Sequence, residues 1–234
     1  MSALIKLTYV ELKLLLRDVG SLISILAIPL FILLIFGLSF DVKDSLLPSM
    51  AVAIALALNA LYVVPTYLGT YREKGILRRL STTPMHPATL LAAQLIIHLL
   101  AALASVALVV VAAATMGIAP PGHVPGALAA FGLGTTAMFA IGVLIAALAP
   151  NGRVATGIGV LLYWPLAFLG GVTIPEAQMP AALARISDFT PLGAFRQAVQ
   201  DTWGGSAPQP LNLAIMAAYA LLAGLAAVKF FRWD

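Results

Sequence analysis

The sequence has 234 residues, of which 62% are hydrophobic and 9% charged, and its mean hydropathy is +1.03. Soluble domains have about 45–50% apolar and about 25% charged residues, so an ordinary water-exposed surface is excluded. The absence of cysteine excludes disulfide frameworks, zinc–thiolate sites and thiol nucleophiles. The formal charge of +4 is informative only through the distribution of Lys and Arg along the chain.

The first eighteen residues predict a helix that lies on the membrane surface. They are too polar to cross a bilayer, and their basic and apolar side chains fall on two separate stripes of a helix. The basic stripe holds Lys6, Lys13 and Arg17, and the apolar stripe holds Ile5, Leu12 and Leu16. Such a helix turns its basic side toward anionic headgroups. A plain extension of the first span is the alternative.

Six apolar runs follow, each near the length of about 20 residues that a transmembrane helix needs. We expect spans at about residues 19–40, 48–68, 88–116, 127–148, 154–173 and 211–231. Pro29 predicts a kink in the first span, tolerated because a neighbouring helix can bond the carbonyl that proline leaves free. The expected fold class is an all-α integral membrane protein, with residues 1–234 forming one transmembrane domain without a nucleotide-binding domain.

The stretch between the last two spans, residues 174–210, is neither apolar enough to cross nor polar enough to stay in water. Its two moderately apolar pieces, 177–186 and 192–203, predict short helices that re-enter the outer leaflet or lie on it. Non-helical backbone is tolerated at that depth only against protein or a water-filled cavity. A lid over a pathway and an inert surface loop both remain open.

Lys and Arg are distributed unevenly between the two sides of the predicted bundle. An even number of spans places both termini on one side, so alternate loops can be compared. The terminal side holds Lys6, Lys13, Arg17, Arg72, Lys74, Arg78, Arg79, Arg153, Lys229 and Arg232, and the other side holds Lys43, Arg185 and Arg196. Because cytoplasmic loops carry the excess of basic residues, both termini should be cytoplasmic.

Few polar side chains interrupt the predicted spans, and the main ones are Asn59, Gln94 and His98. Each is explained by a hydrogen bond between helices or by a position on a substrate path. No HExxH, GxSxG or acidic metal-binding cluster occurs, so protease and metalloenzyme functions have no support. No GxxxxGK(S/T) sequence occurs either, so we expect no catalytic residue, metal site or ATP site on this chain.

The segment after the second span is the most specific feature of the sequence. Positions 72–79 hold five charged residues, and Thr82, Thr83 and Pro84 close the segment. From about residue 73 to residue 80 the pattern predicts an amphipathic cytoplasmic helix, whose apolar side chains could enter a groove of a partner. Those side chains are Ile76, Leu77 and Leu80. The alternative is a charge cluster that only holds the loop on the cytoplasmic side.

The segment YREKGILRRLSTTPMHPATLLAAQL resembles the connection between the second and third helices of ABC-2 type transporter permeases, the membrane subunits of type-2 ABC exporters. The pattern is a Glu, a basic residue and a Gly, then a leucine-rich basic helix and a Thr-Pro break. The matching residues are Glu73, Lys74, Gly75, Leu80, Thr83 and Pro84. The order of elements is similar over the whole chain. Ala93 and Gln94 depart from the Gly-Lys pair often found there.

The resemblance implies a dimer of permeases, more often of identical copies, with two ATPase subunits docked beneath. ATP and Mg²⁺ would be bound by those subunits, which would grip a coupling helix. The implied coupling residues are Arg72, Glu73, Lys74, Gly75, Ile76, Leu77, Arg78, Arg79, Leu80, Thr83 and Pro84. A substrate path between the permeases would include Phe31, Phe36, Asn59, Tyr62, Tyr163, Trp164 and Phe168. The expected place is a bacterial inner membrane, in contact with lipid and without a nucleic-acid partner.

The function implied is ATP-driven export. The nearly apolar first, second and fifth spans favour an amphiphilic, drug-like or lipid-like cargo, and daunorubicin-type drug exporters resemble the chain in size. A lipid-linked polysaccharide permease, an ion-coupled carrier, an intramembrane lipid enzyme and a non-transporting scaffold are the alternatives. Ion-coupled carriers commonly have ionisable residues at the bilayer midplane and a repeated half, and the sequence shows neither.

Overall fold

The computed structural model describes residues 3–40, 45–76, 88–174 and 178–230, and all regular secondary structure in these ranges is helical. The helices are α1 (Ala3–Leu15), α2 (Val19–Leu22, a π-helical turn Ile23–Ala27, and Ile28–Phe40), α3 (Leu46–Leu58, a π-helical turn Asn59–Val63, and Val64–Glu73), α4 (Ala88–Thr115), α5 (Val124–Leu148), α6 (Gly152–Leu169), α7 (Ala181–Asp188), α8 (Pro191–Trp203) and α9 (Pro210–Phe230).

Six helices in the described ranges are long and apolar enough to cross a membrane, namely α2 to α6 and α9. This confirms the predicted fold class. The boundaries differ most at α3, which continues to Glu73 instead of ending near residue 68, and at α6, which ends at Leu169 instead of near residue 173. The polar last turn of α3 stays helical because its side chains find partners on neighbouring helices.

α3 is the central helix of the bundle. In its most apolar window 89% of the residues are buried, compared with 22–50% in the other five spans. Helices α2, α4, α5, α6 and α8 all pack against it. The small residues Ala51, Ala53 and Ala57 are fully buried, and such residues let helix backbones approach closely in a membrane. α9 packs on α5 and α8, at the periphery.

Pro29 in α2 has the partner that the sequence predicted. A proline leaves unbonded the carbonyl of the residue four positions earlier, which is Ile25. The Ser105 hydroxyl of α4 donates a hydrogen bond of 2.7 Å to that oxygen. α2 also widens into its π-helical turn just before the proline, which is a known accommodation of proline in spans. α4 therefore repairs the break in α2.

Pro65 in α3 raises the same problem, and glycines of two other helices lie beside the freed carbonyls. A Cβ on Gly142 of α5 would lie 2.1 Å from the Ala60 carbonyl oxygen. One on Gly159 of α6 would lie 1.8 Å from the Leu61 carbonyl oxygen. Only a glycine Cα can come this close, and it brings weak C–H···O contacts to the backbone. α5 and α6 thus pack directly on the weakened turn of α3.

α1 is a separate helix and does not extend α2. Asp18 lies between them and caps α2, since its carboxylate accepts hydrogen bonds from the Ser21 N–H at 3.2 Å and the Ser21 hydroxyl at 2.6 Å. The Tyr67 hydroxyl of α3 donates to the same carboxylate at 2.9 Å. Burial acts to raise the pKa of Asp18, but these hydrogen bonds outweigh it and lower that pKa.

The face by which α1 docks differs from both predicted stripes. Glu11 and Leu15 are buried against the bundle. The apolar stripe and the basic stripe both remain exposed: Ile5, Leu12 and Leu16 on one, and Lys6, Lys13 and Arg17 on the other. An exposed apolar stripe beside a basic one is the arrangement that a helix on a membrane surface needs.

The described part of the stretch between α6 and α9 contains two short helices, as predicted, although α7 begins at Ala181 instead of near residue 177. α8 is packed into the bundle, and its Arg196 is only 2% exposed. The Arg196 Nε donates to the Gly170 carbonyl at 2.8 Å, at the C-terminal end of α6. A guanidinium at that position complements the negative end of the helix dipole. α8 therefore holds one end of α6.

Candidate functional site

The predicted coupling segment begins where α3 ends, on the side of the bundle where α1 lies. Glu73 is the last residue of α3, and Gly75 follows with φ of +64°, a left-handed conformation that favours glycine. Lys74 is exposed, and Ile76 is half-buried against a cluster that includes Tyr71. The other predicted coupling residues lie outside the described residues: Leu77, Arg78, Arg79, Leu80, Thr83 and Pro84.

Arg72 reaches across to the C-terminal end of α5. Its Nη1 donates to the carbonyl oxygens of Ala146 at 3.1 Å, Ala147 at 3.3 Å and Ala149 at 2.8 Å. Carbonyls in the last turn of a helix have no partner within the helix. A cation placed there satisfies them and complements the negative end of the dipole. Arg72 is thus a cap for α5 supplied by a different helix.

Glu73 holds the N-terminal end of α6. The Gly152 N–H donates to its Oε2 at 3.3 Å, and the side chain of Asn151 caps the same end by accepting from the Val154 N–H at 2.9 Å. A carboxylate is favourable at this end because the helix dipole is positive there. A Cβ at Gly152 would lie 2.4 Å from the Thr70 Oγ1. Glycine therefore lets α6 begin directly against α3.

The connection between α5 and α6, residues 149–152, is called the α5–α6 turn below. Two consecutive residues of α3 hold its two sides, and each has the charge that suits the helix end it meets. The family resemblance implies that Arg72 and Glu73 contact an ATPase. Hydrogen bonds of both residues run instead within the chain, from Arg72 to the end of α5 and to Ala149, and from Gly152 to Glu73.

A buried carboxylate joins α1 to the same end of α3. The Tyr71 hydroxyl donates to the Glu11 Oε2 at 2.6 Å, and the Gln94 side-chain amide of α4 donates to the same oxygen. Burial raises the pKa of Glu11 above its usual value, although the two hydrogen bonds act to lower it. Gln94, which departs from the family pattern, therefore supplies a neutral donor to this carboxylate.

Asn59 of α3 and His98 of α4 are paired in the bundle interior. The Asn59 Nδ2 donates to the His98 carbonyl at 2.9 Å, and its Oδ1 lies 2.8 Å from the His98 Nδ1. Both residues are fully buried. The pair is the hydrogen bond between helices that the sequence analysis weighed against a substrate path, and both polar groups of the Asn59 amide take part in it.

The other predicted path residues lie on α2, α3 and α6. Phe31 and Trp164 are 64% and 61% exposed, and Phe36 and Phe168 are exposed to a smaller extent. Tyr62 and Tyr163 are half-buried.

Between α2 and α6, a narrow stripe of α3 remains half-buried. Leu58, Tyr62 and Thr66 follow one another at intervals of one helical turn along it. The Thr66 hydroxyl lies 2.7 Å from the hydroxyl of Thr156 on α6. Tyr62 packs on the α2 side, against a cluster that includes Ile25. The predicted path thus has aromatic and aliphatic walls with a few hydroxyl groups.

An apolar cleft of about 700 Å³ lies elsewhere, between α4, α5 and α9. Gly132, Phe139 and Gly224 are among the residues that line it, and none of the predicted path residues does. A Cβ on either glycine would meet open space. The sequence analysis did not predict this cleft.

The sequence model of one family, described as ABC-2 type transporter, matches residues 3–202. The matched part contains α1, the first five spans and all but the last residue of α8. The chain belongs to the ABC-2 type transporter family. A comparison with curated proteins gives no match.

Family membership confirms the resemblance and gives the coarse function. An ABC-2 chain is the membrane permease component of an ABC transporter, and the ATPase is a partner subunit. The six apolar helices of the described residues agree with a multi-pass membrane protein.

Sequence reasoning missed several residues that organise this ABC-2 permease: Glu11, Gly142, Gly159 and Arg196. Glu11 had a signal, because it is the single acidic residue of α1 and lies four positions from Leu7 and Leu15, on the docked face. Arg196 also had one, as the lone basic residue of α8. The glycines had none, because their importance depends on which carbonyl faces them.

Proposed function

We propose that this chain is the permease of an ABC exporter in a bacterial inner membrane, with both termini cytoplasmic. Two ATPase subunits bind the segment that follows α3, from Lys74 to Pro84, and supply the ATP and Mg²⁺ sites. Two identical permeases form the membrane unit, and an amphiphilic, drug-like or lipid-like cargo crosses between them. The observation that carries the proposal is the family match, which includes this segment.

The position of the segment supports ATPase docking. It leaves the central helix of the bundle, so a force applied there acts on the helix against which α2, α4, α5, α6 and α8 pack. Lys74 is exposed at the start of the segment. The sequence of the segment continues with two arginines and with apolar residues at helical spacing. Charged rims around apolar anchors are common in helix-in-groove recognition.

The chemistry of the predicted path supports an amphiphilic cargo. Phe31 and Trp164 provide exposed aromatic surface, and the hydroxyls of Thr66 and Thr156, which lie 2.7 Å apart between α3 and α6, add a few polar atoms. Asn59, the amide on the predicted path, is committed to His98. A surface of this kind suits a largely apolar molecule with few polar groups.

The test is to purify the tagged chain in mild detergent without added ATP and to identify its companions by mass spectrometry. We expect a stoichiometric companion with a P-loop sequence. Changing both Arg78 and Arg79 to Ala should remove it, because the basic rim of the docking segment is lost.

The matched control changes Lys43 and Arg185 to Ala, which removes the same charge from the opposite side of the membrane. That variant should keep the companion. Purification of the unmodified chain as a partnerless oligomer would contradict the exporter proposal and favour the carrier or scaffold alternatives. Loss of the companion in both double variants would remove the docking assignment.

A further inference from the structure

We infer that Arg72 and Glu73 are positioning residues that fasten the α5–α6 turn to the end of α3, so that the end of α3 and the α5–α6 turn move as one body. The inference rests on the proposed function, because ATPase subunits bound to that segment would supply the motion. It changes the role of the two residues: they act through the α5–α6 turn and not by touching the ATPase.

Hydrogen bonds hold both sides of the α5–α6 turn to the end of α3. Arg72 spans three carbonyl oxygens on the α5 side, and Glu73 accepts from the first amide of α6. Hydrogen bonds to charged groups are stronger than those between neutral groups. A shift of either side of the α5–α6 turn relative to α3 would lengthen or break at least one of these bonds.

Close packing removes the remaining freedom. A Cβ on Gly69 of α3 would lie 3.0 Å from the Gly152 Cα and 3.1 Å from the Ala155 Cβ. The backbones of α3 and α6 therefore touch at the same level as the hydrogen bonds. Closely packed interfaces transmit displacement because they have little void to absorb it.

The consequence is a route from the docking segment to the proposed cargo-facing side. A displacement beginning at Lys74 moves the end of α3 and the start of α6 together. α6 carries Trp164 and Phe168, both exposed. Contacts with the ATPase then fall to Lys74 and the residues after it, while Arg72 and Glu73 pass the motion to α6.

Hydrogen exchange of the full chain in lipid nanodiscs tests the fastening without any partner. In Arg72→Met and Glu73→Ala, the amides of residues 149–156 should exchange about tenfold faster or more, because a charge-assisted bond is lost. Glu73→Gln should restore slow exchange, since its amide oxygen still accepts from the Gly152 N–H. Lys74→Met, which removes a neighbouring exposed cation, is the control and should match the unmodified chain.

Exchange at residues 149–156 that is unchanged in both Arg72→Met and Glu73→Ala would overturn the inference. So would equal acceleration in Lys74→Met. If Arg72→Met fails to fold, the contrast between Glu73→Ala and Glu73→Gln decides the matter alone.

The complex with the ATPase tests the transmitted motion. Arg72→Met should retain the ATPase at the unmodified ratio and keep the basal rate of ATP hydrolysis. The change in exchange that ATP and vanadate produce at residues 149–156 should disappear, while the change at residues 74–87 remains. Loss of the ATPase itself from Arg72→Met would make Arg72 a docking residue and overturn the inference. Absence of any ATPase from the unmodified chain would refute the proposed function, and exchange in the chain alone would still decide the fastening.

Discussion

α3 and α6 are neighbouring spans, yet the chain covers them to very different extents. In the most apolar window of α3, 89% of the residues are buried, against 22% in α6. α3 bonds its polar side chains inside the bundle, as Asn59 does to His98. α6 leaves Leu161 72% exposed and Trp164 61% exposed. The comparison shows that the other helices of this chain surround α3 on all sides, whereas they cover only one side of α6.

The two helices are joined along a seam of small residues. Gly69 meets Gly152 at one end of the seam, and Gly159 meets the Leu61 carbonyl about two turns further along α6. Close backbone approach is favoured in membranes because lipid gives helices no hydrophobic reason to associate. The inner side of α6 is therefore fixed, while its outer side remains available to lipid, cargo or a second copy.

Breaking the seam should have the largest effect. Gly159→Ala places a Cβ about 1.8 Å from the Leu61 carbonyl oxygen, so we expect a loss of about 1–3 kcal/mol in unfolding free energy from overpacking. Gly157→Ala is the control on the same helix, because a Cβ there meets nothing within 4 Å. Its change should stay within about 0.5 kcal/mol. Unfolding by denaturant in mixed micelles measures both, and equal effects would mean that the seam does not fix α6.

Removing exposed aromatic side chains should have an intermediate effect, on assembly and not on folding. Phe31→Ala with Trp164→Ala should weaken dimers about tenfold or more in native mass spectrometry, because aromatic side chains often dominate interfaces. Leu221→Ala with Leu225→Ala is the control on α9, where both leucines are also highly exposed. If both double variants lose dimer equally, or if neither loses it, the exposed side of α6 is not the proposed dimer interface.

The smallest effect concerns the end of α3 that binds α1. The pKa of Glu11 is raised from 4.5 mainly by burial. The folded protein therefore favours the neutral Glu11 carboxyl. The contribution of this group to folding stability is fully present below the unfolded-state pKa and is lost as pH rises through the folded-state pKa. Tm of the unmodified chain should fall by on the order of 2 °C as pH rises through that interval. Glu11→Gln keeps an acceptor for Tyr71 and Gln94 and should remove this part of the pH dependence. A fall of equal size in Glu11→Gln would assign the effect to another group.

The positions of the spans were predictable because apolar length is a local property of the sequence. Pro29 illustrates how far such reasoning extends: proline chemistry predicts a freed carbonyl and a donor from a neighbouring helix, although not that the donor is Ser105. The extension of α3 to Glu73 was missed because its charged last turn reads as a loop until its partners on α5 and α6 are known.

For the candidate site, too, the sequence indicated the important residues but not their contacts. The sequence drew attention to Arg72 and Glu73 through charge density and family resemblance, and it assigned them to an external partner. The structure shows that both bond to the α5–α6 turn, more than seventy residues later. Nothing local in the sequence indicates that pairing, because it depends on how α5 and α6 are rotated and seated against α3.

By itself, the sequence determined that the chain is a bundle of six apolar helices, and a family pattern in it indicated an ABC-2 permease. The cost of polar groups in lipid and the length needed to cross a bilayer act residue by residue, so they can be read without a fold. Tertiary structure alone decided which charges meet which helix ends and which glycines meet which carbonyls. Those contacts join residues distant in the sequence, and they exist only once the helices have packed.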